Sequence, residues 1–298
     1  MPTNIEWATE TWSPITGCTP ISPGCKNCYA ARMAKRLAGR FGYPADEPFR
    51  PTFHEDRLDQ PFKWKKRRMI FVCSMGDLFV GLPPPEGSWP IIDRILGVCN
   101  DAPQHIFLLL TKRPEAAWYY FNSPMYRAPG LRSELLAENI WFGVTAENQA
   151  LYDERWNIAA QIPAAVHFVS GGPLLGPIDI AKHEQRPDWF IVEGESGPGA
   201  RCMLVDWARS LRDQCQAAGV PYFFKQHGEY LHASQIYDCK ADLDPDFLLH
   251  CSTRYHSEKP NDMSYLVGKK KAGRLLDGRT HDEYPALANG QDLQRGGC

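Results

Sequence analysis

Three cysteines lie within eleven residues, Cys18, Cys25 and Cys28, in the spacing C-x6-C-x2-C. Gly17, Pro20, Pro23 and Gly24 lie among or beside them, so the segment reads as a loop. Three thiolates on a tight loop can face one point in space, as a metal ion or an iron–sulfur cluster requires. A closed structural zinc site or an all-cysteine cluster takes a fourth protein ligand. Three ligands leave one metal position open, and an open position is where chemistry happens. Three readings stand side by side: inert buried thiols, a zinc site completed by a distant His or Cys, and an iron–sulfur cluster with one open iron. The nearest histidine in the chain is His54, so no local residue completes a zinc site.

The elements that must position the loop are read from apolar runs. A short strand is expected over residues 10–16, leading into the cysteine loop, and a helix over 29–40 follows. Near-continuous apolar runs then recur at 69–73, 106–110, 140–144, 166–169, 189–192 and 221–224. Strands buried on both faces look like this, with polar residues collecting just past their C-terminal ends. Segments of helical period alternate with them at 89–99, 114–121, 131–137, 151–161 and 207–218. The last is expected to begin after Asp206 as N-cap and to end at Gly219. Alternation of buried strands and helices predicts an α/β fold, a full or partial TIM-like (β/α) barrel over residues 1–230. A doubly wound open sheet is the rival, but no strand ends in a G-x-G-x-x-G turn with an acidic residue about 20 positions later. Residues 231–298 lose the pattern and read as an irregular C-terminal extension with a frayed end.

Composition bounds the function. The chain has 298 residues, 43% of them hydrophobic, and a net charge of −2, so a large core is available and no global basic surplus points to nucleic acid. Two local basic clusters stand out, at 63–68 and 268–274. The first reads equally as a phosphate-contacting patch or a solvated face. No signal-peptide-like stretch and no run of 18 apolar residues is present, so the chain is expected to be cytoplasmic, with no membrane partner. In that compartment clustered thiols are ligands more often than disulfides. Cys73 and Cys99 sit in apolar context and are expected in the core; Cys202, Cys215, Cys239, Cys251 and Cys298 have no motif spacing and no assigned role.

The cysteine loop lies between the first expected strand and the first expected helix. That layout resembles the radical S-adenosylmethionine (SAM) enzymes, whose usual spacing is C-x3-C-x2-C. More closely the chain resembles the phage-associated three-cysteine-motif proteins, a radical-SAM-like family. The resemblance is carried by residues 12–14, by Gly17-Cys18-Thr19, and by Gly24-Cys25-Lys26-Asn27-Cys28-Tyr29. It continues through Gly76-Asp77-Leu78-Phe79, residues 110–114, 194–198 and 224–226, and 268–277. It implies a [4Fe–4S] cluster on Cys18, Cys25 and Cys28, with SAM on the open iron and cleaved by an electron from an external donor to a 5′-deoxyadenosyl radical. It further implies a SAM-binding set at the strand ends: Asp77 for the ammonium, and Thr145, Glu147, Asn148, Ser170, Glu195, Ser196 and Lys225 for the remaining polar groups. Tyr29 and His227 are the candidate catalytic donors. Asp77 reads alternatively as a helix cap, and His227 as a structural residue. The expected substrate is a nucleic acid or nucleotide, with basic clusters and aromatic residues supplying contacts. A zinc-dependent hydrolase and a nucleic-acid-binding module stapled by a structural metal are the competing functions.

Overall fold

The structure is a computed structural model, and it describes residues 5–81, 89–122, 136–238, 243–257 and 262–286. The expected helix over 131–137 falls largely outside the described residues, as do Cys239, Cys298 and the expected frayed end. The chain divides into two compact units, Met1–Ser170 and Gly171–Cys298. The boundary expected at residue 230 lies inside the second of these.

The first unit runs through β1 (Glu10–Trp12), β2 (Ile15–Thr16), α1 (Tyr29–Arg36), β3 (Thr52–Phe53), β4 (Met69–Val72), α2 (Trp89–Asp101) and β5 (Ile106–Thr111). It continues with α3 (Pro114–Asn122), β6 (Ile140–Thr145), α4 (Gln149–Ala159) and β7 (His167–Gly171), whose last residue opens the second unit. The strands pair in parallel in the order β1-β4-β5-β6-β7. Register sets Trp12 beside Val72, Phe71 beside Leu108, Leu109 beside Phe142, and Thr145 beside Ser170. Ile106, Phe107, Leu108 and Leu109 are all buried, on both faces of the strand. This is why a run with no polar alternation forms a central parallel strand. Each such side chain removed from water contributes about 1.5–3 kcal/mol. The short antiparallel pair β2–β3 sets Ile15 beside Phe53 and anchors the chain just before the cysteine loop. Asn148 caps α4, its side chain accepting from Leu151 N at 3.1 Å. Cys73 and Cys99 are buried, as expected.

The second unit contains β8 (Trp189–Glu193), α5 (Val205–Ala218) and β9 (Tyr222–Gln226), then β10 (Tyr230–His232), α6 (Ala233–Asp238), α7 (Pro245–Leu249), β11 (Thr253–Tyr255), β12 (Met263–Leu266) and α8 (Lys269–Ala272). Strands β8 and β9 are parallel, with Phe190 beside Tyr222. Helix α5 ends at Gly219 with φ +68°, as expected, but its N-cap is Leu204. Asp206 lies in the first turn instead, where its charge meets the positive end of the helix. Strands β10, β12 and β11 form a separate antiparallel sheet in that order.

The barrel expectation is overturned. Among the described residues five strands run parallel in the first unit and two in the second, so neither unit holds the eight parallel strands of a closed barrel. Helices are few beside these strands; the connection from β7 to β8 carries only a 3-10 turn at Ile180–Lys182. An eighth parallel strand is not made, because the chain reverses after β9. Gly228 takes φ +88° there, and a Cβ on it would overlap the Glu195 carbonyl. The next strand therefore enters the antiparallel sheet. Both units are α/β, with parallel strand pairing in each. No described helix is long and apolar enough to cross a membrane.

Candidate functional site

The cysteine loop is held from behind by backbone. Gly17 N donates to Met75 O at 2.9 Å and Cys18 N to Phe49 O at 3.1 Å. Gly17 has φ +85°, and a Cβ there would overlap the Arg50 carbonyl. A single 3-10 turn, Pro23–Cys25, follows, and Cys28 is the N-cap of α1. All three thiols are partly exposed and none is in a disulfide. The loop lies beside the polar residues that end β5 and β6.

Two arms converge on it, each running from a buried carboxylate through a cation to a sulfur. In the first, Glu147 is wholly buried just past β6. It accepts from Lys112 Nζ at 2.5 Å, from Ser22 Oγ at 2.5 Å and from Arg155 Nη1 at 3.0 Å. Lys112 Nζ also stands 3.2 Å from Ser22 Oγ and 3.8 Å from Cys25 Sγ. Burial alone would raise the Glu147 carboxyl, but the charges of Lys112 and Arg155 outweigh it and hold the group below its ordinary value. Burial likewise opposes ionisation of Cys25; the Lys112 charge and hydrogen bonds from Ile21 and Ser22 carry that thiol below its ordinary value.

The second arm starts at Asp77, just past β4. Its carboxylate accepts from Thr111 Oγ1 at 2.8 and 3.0 Å, from Phe79 N at 3.0 Å and from Lys112 N at 3.1 Å. Arg113 Nη1 lies 3.4 Å from Asp77 Oδ2 and 3.2 Å from Cys18 Sγ, while Nη2 donates to Thr19 O at 2.6 Å and Thr19 Oγ1 at 2.7 Å. Burial and the Asp77 charge together push the Cys18 thiol up to about 11, despite Arg113. The two sulfurs thus sit in opposed environments, on consecutive cations of one strand end.

The remaining expected residues divide by unit. Thr145 gives its carbonyl to Arg155 Nη1 at 2.7 Å, and Asn148 spends its side chain on the α4 cap. Ser170 is buried at the end of β7, its carbonyl accepting from Ala146 N at 2.9 Å. The Tyr29 ring is half exposed at the start of α1, and its hydroxyl donates to the Ser74 carbonyl. In the second unit Glu195 is held by Arg201, through Nη2 at 2.6 Å, Nε at 2.8 Å and the backbone N at 2.7 Å. Lys225 pairs with Glu193 at 2.5 Å, and Ser196 is half-buried after β8. His227 is buried, its Nε2–H donating to Leu275 O at 2.7 Å, and burial lowers its pKa to about 4. Within the first unit, then, the structure brings Asp77 and Glu147 to the cysteine loop through Lys112 and Arg113. Sequence reasoning missed Ser22 and Arg155, and noted Lys112 and Arg113 only within the stretch 110–114 that carries the family resemblance. Their signal was their place beside Thr111, at the end of the most apolar strand.

The donor set fits an iron–sulfur cluster in kind: three accessible sulfurs on one loop, two with a cation within reach to offset the negative charge of thiolate ligands. Among the described residues no three His, Cys, Asp or Glu side chains are already gathered to hold a metal ion, so the thiols must draw together to bind one. Comparison with curated proteins and with solved structures finds no match. Residues 2–285 match the family described as "Protein of unknown function (DUF5131)". That match spans nearly the whole chain, and the chain belongs to this family.

Proposed function

We propose that the chain is an iron–sulfur enzyme of the radical SAM type, with Cys18, Cys25 and Cys28 holding a [4Fe–4S] cluster and SAM as its co-substrate. One observation carries the reading: two of the three thiols have a cation within reach, Lys112 at 3.8 Å and Arg113 at 3.2 Å, and each cation is fixed by a buried carboxylate. A redox cluster is tuned by charge and hydrogen bonds at its sulfurs, which these pairs would supply. Bound there, the cluster supplies the electron that cleaves SAM. The chain's own residues do the rest. Glu147 and Ser22 orient Lys112, Asp77 and Thr111 orient Arg113, and Gly17 and Gly24 let the loop lie close to its backing. The substrate class we propose is a nucleic acid or nucleotide. The exposed Lys63, Lys65, Lys66 and Arg67 before β4 would serve its phosphates.

Purification and reconstitution without oxygen, followed by iron and sulfide counting, tests the reading. About four irons per chain, lost in Cys25→Ala, with 5′-deoxyadenosine formed from SAM on reduction, is the expected result. A colourless protein that takes up one zinc and no iron overturns it.

A further inference from the structure

The second unit carries a separate constellation that the cysteine-loop chemistry does not use. Cys202 precedes α5 and is half-buried. Its Sγ lies 3.9 Å from His256 Nε2, and that same nitrogen is 2.9 Å from Ser264 Oγ. Ser264 is buried in the middle strand β12 and also hydrogen-bonds the Cys202 sulfur. Register places His232 of β10 and Arg254 of β11 directly across from Ser264 on either side.

The imidazoles are held. His256 N donates to Asp262 O at 2.9 Å, and its ring stacks on His232 at 5.8 Å between centroids. Ser234 N donates to His232 Nδ1 at 3.2 Å, so that nitrogen carries no hydrogen in the neutral ring. The hydrogen is then on Nε2, which faces Asp262 Oδ1 at 3.4 Å. Burial raises the Cys202 thiol, against the Ser264 hydrogen bond and the Arg254 charge. Burial and then the His232 charge lower the His256 imidazole. Near neutral pH the pair is therefore a thiol beside a neutral imidazole, and in the tautomer whose Nε2 accepts from Ser264 Oγ the imidazole is the thiol's proton acceptor.

We propose that Cys202 is a thiol-modification site at which His256, through the Ser264 hydroxyl, takes the thiol proton during exchange with a small anionic disulfide of the glutathione class. In the step, the Cys202 S–H proton passes to His256 Nε2 as the sulfur attacks one sulfur of the disulfide. A new S–S bond forms, the old one breaks, and the departing thiolate recovers the proton from the imidazolium. One disulfide replaces another, so no further oxidant is needed. Arg254 selects for negative charge: it is exposed, and its charge acts on the sulfur.

The experiment treats the full chain with oxidised glutathione and maps each mixed disulfide by mass over time. Cys251 serves as the internal reference, since it is also half-buried and, among the described residues, its thiol donates to the Phe247 carbonyl at 3.4 Å. Cys202 is expected to react on the order of tenfold or more faster than Cys251, and His256→Gln or Ser264→Ala to remove most of that advantage. In the unmutated chain oxidised glutathione is expected to outpace the cationic disulfide cystamine, a preference lost in Arg254→Gln. Cys202 reacting no faster than Cys251 overturns the proposal. So does an undiminished rate in Ser264→Ala, which keeps the imidazole in place should His256→Gln fail to fold. Iron content is untouched by any of these outcomes.

Discussion

Lys112 Nζ lies 2.5 Å from Glu147 Oε1 and 3.8 Å from Cys25 Sγ. One ammonium thus joins a wholly buried carboxylate to a partly exposed thiol. The two residues end neighbouring strands, β5 and β6, whose register pairs Thr111 with Val144. The link is therefore built by the sheet itself rather than by the loop.

Glu147 serves two cations, Lys112 and the buried Arg155. Glu147→Gln keeps the shape and removes the charge, leaving Arg155 buried without compensation. A loss of about 3–5 kcal/mol is expected from urea unfolding of the full chain. A change within about 0.5 kcal/mol of wild type would show that Arg155 finds another partner or water.

The glycines of the cysteine loop test whether loop geometry governs cluster loading. A Cβ on Gly24 would fall on Glu147 Oε1 and 2.8 Å from Lys112 Nζ. Gly24→Ala is expected to fold and to lose most of its iron after reconstitution, because the new methyl pushes Lys112 away from Cys25. Gly17→Ala is expected to be worse. It meets a positive φ and the Arg50 backbone together, neither of which can give cheaply. Full iron content in Gly24→Ala would separate the Lys112–Glu147 pair from cluster loading.

Much of this was legible before the structure. The central strands are apolar on both faces, so Ile106 to Leu110 and Ile140 to Val144 could be placed within a residue or two. The polar residues after them, Asp77 and Glu147, could be named as site candidates. What could not be read was pairing. Lys112 and Glu147 are 35 residues apart, and nothing local says that they touch. Arg155 reads as the polar face of an amphipathic helix; only the structure shows it turned inward onto Glu147. Asn148 looked like a ligand because it follows a strand, yet a strand end is also a helix start, and the cap claims its side chain. The barrel expectation failed at Gly228, because strands as short as Tyr230–His232 leave no apolar run to announce a reversal.

His227 makes the second unit sensitive to acid. Its folded pKa, about 4, lies below the ordinary imidazole value of 6.5, because burial disfavours the charged ring. The stabilising effect is complete above about pH 6.5 and is lost as pH falls towards 4, where the unfolded chain binds a proton that the folded one refuses. The difference corresponds to about 3 kcal/mol across that window. His227→Gln is expected to flatten the stability profile between those limits, measured by denaturant midpoints. An unchanged slope would place the acid response elsewhere.

Asp277 tests strain against hydrogen bonding at one position. Its backbone has φ +52°, a conformation costly for most residues with a side chain. Its carboxylate accepts from Arg209 Nη2 at 2.6 Å, Arg212 Nη1 at 2.5 Å and Gln235 Nε2 at 2.8 Å, and its own N donates to Gln235 Oε1 at 2.9 Å. Burial opposes the ionised form, but hydrogen bonds from Arg209, Gln235 and Arg212 overcome it and hold the carboxyl far below its ordinary value. The site is partly open to solvent, so screening trims these interactions. Asp277→Asn keeps the tolerance for positive φ and some acceptor capacity; Asp277→Gly relieves the backbone and loses every acceptor; Asp277→Ala loses the acceptors and keeps the strain. Stability is therefore expected to fall in the order Asn, Gly, Ala, with Ala about 1 kcal/mol below Gly. If Ala matched Gly in chemical denaturation, the backbone would be relaxing away from positive φ once the arginines let go. If Asn were no more stable than Gly, the carboxylate charge rather than its acceptor capacity would be what this position supplies.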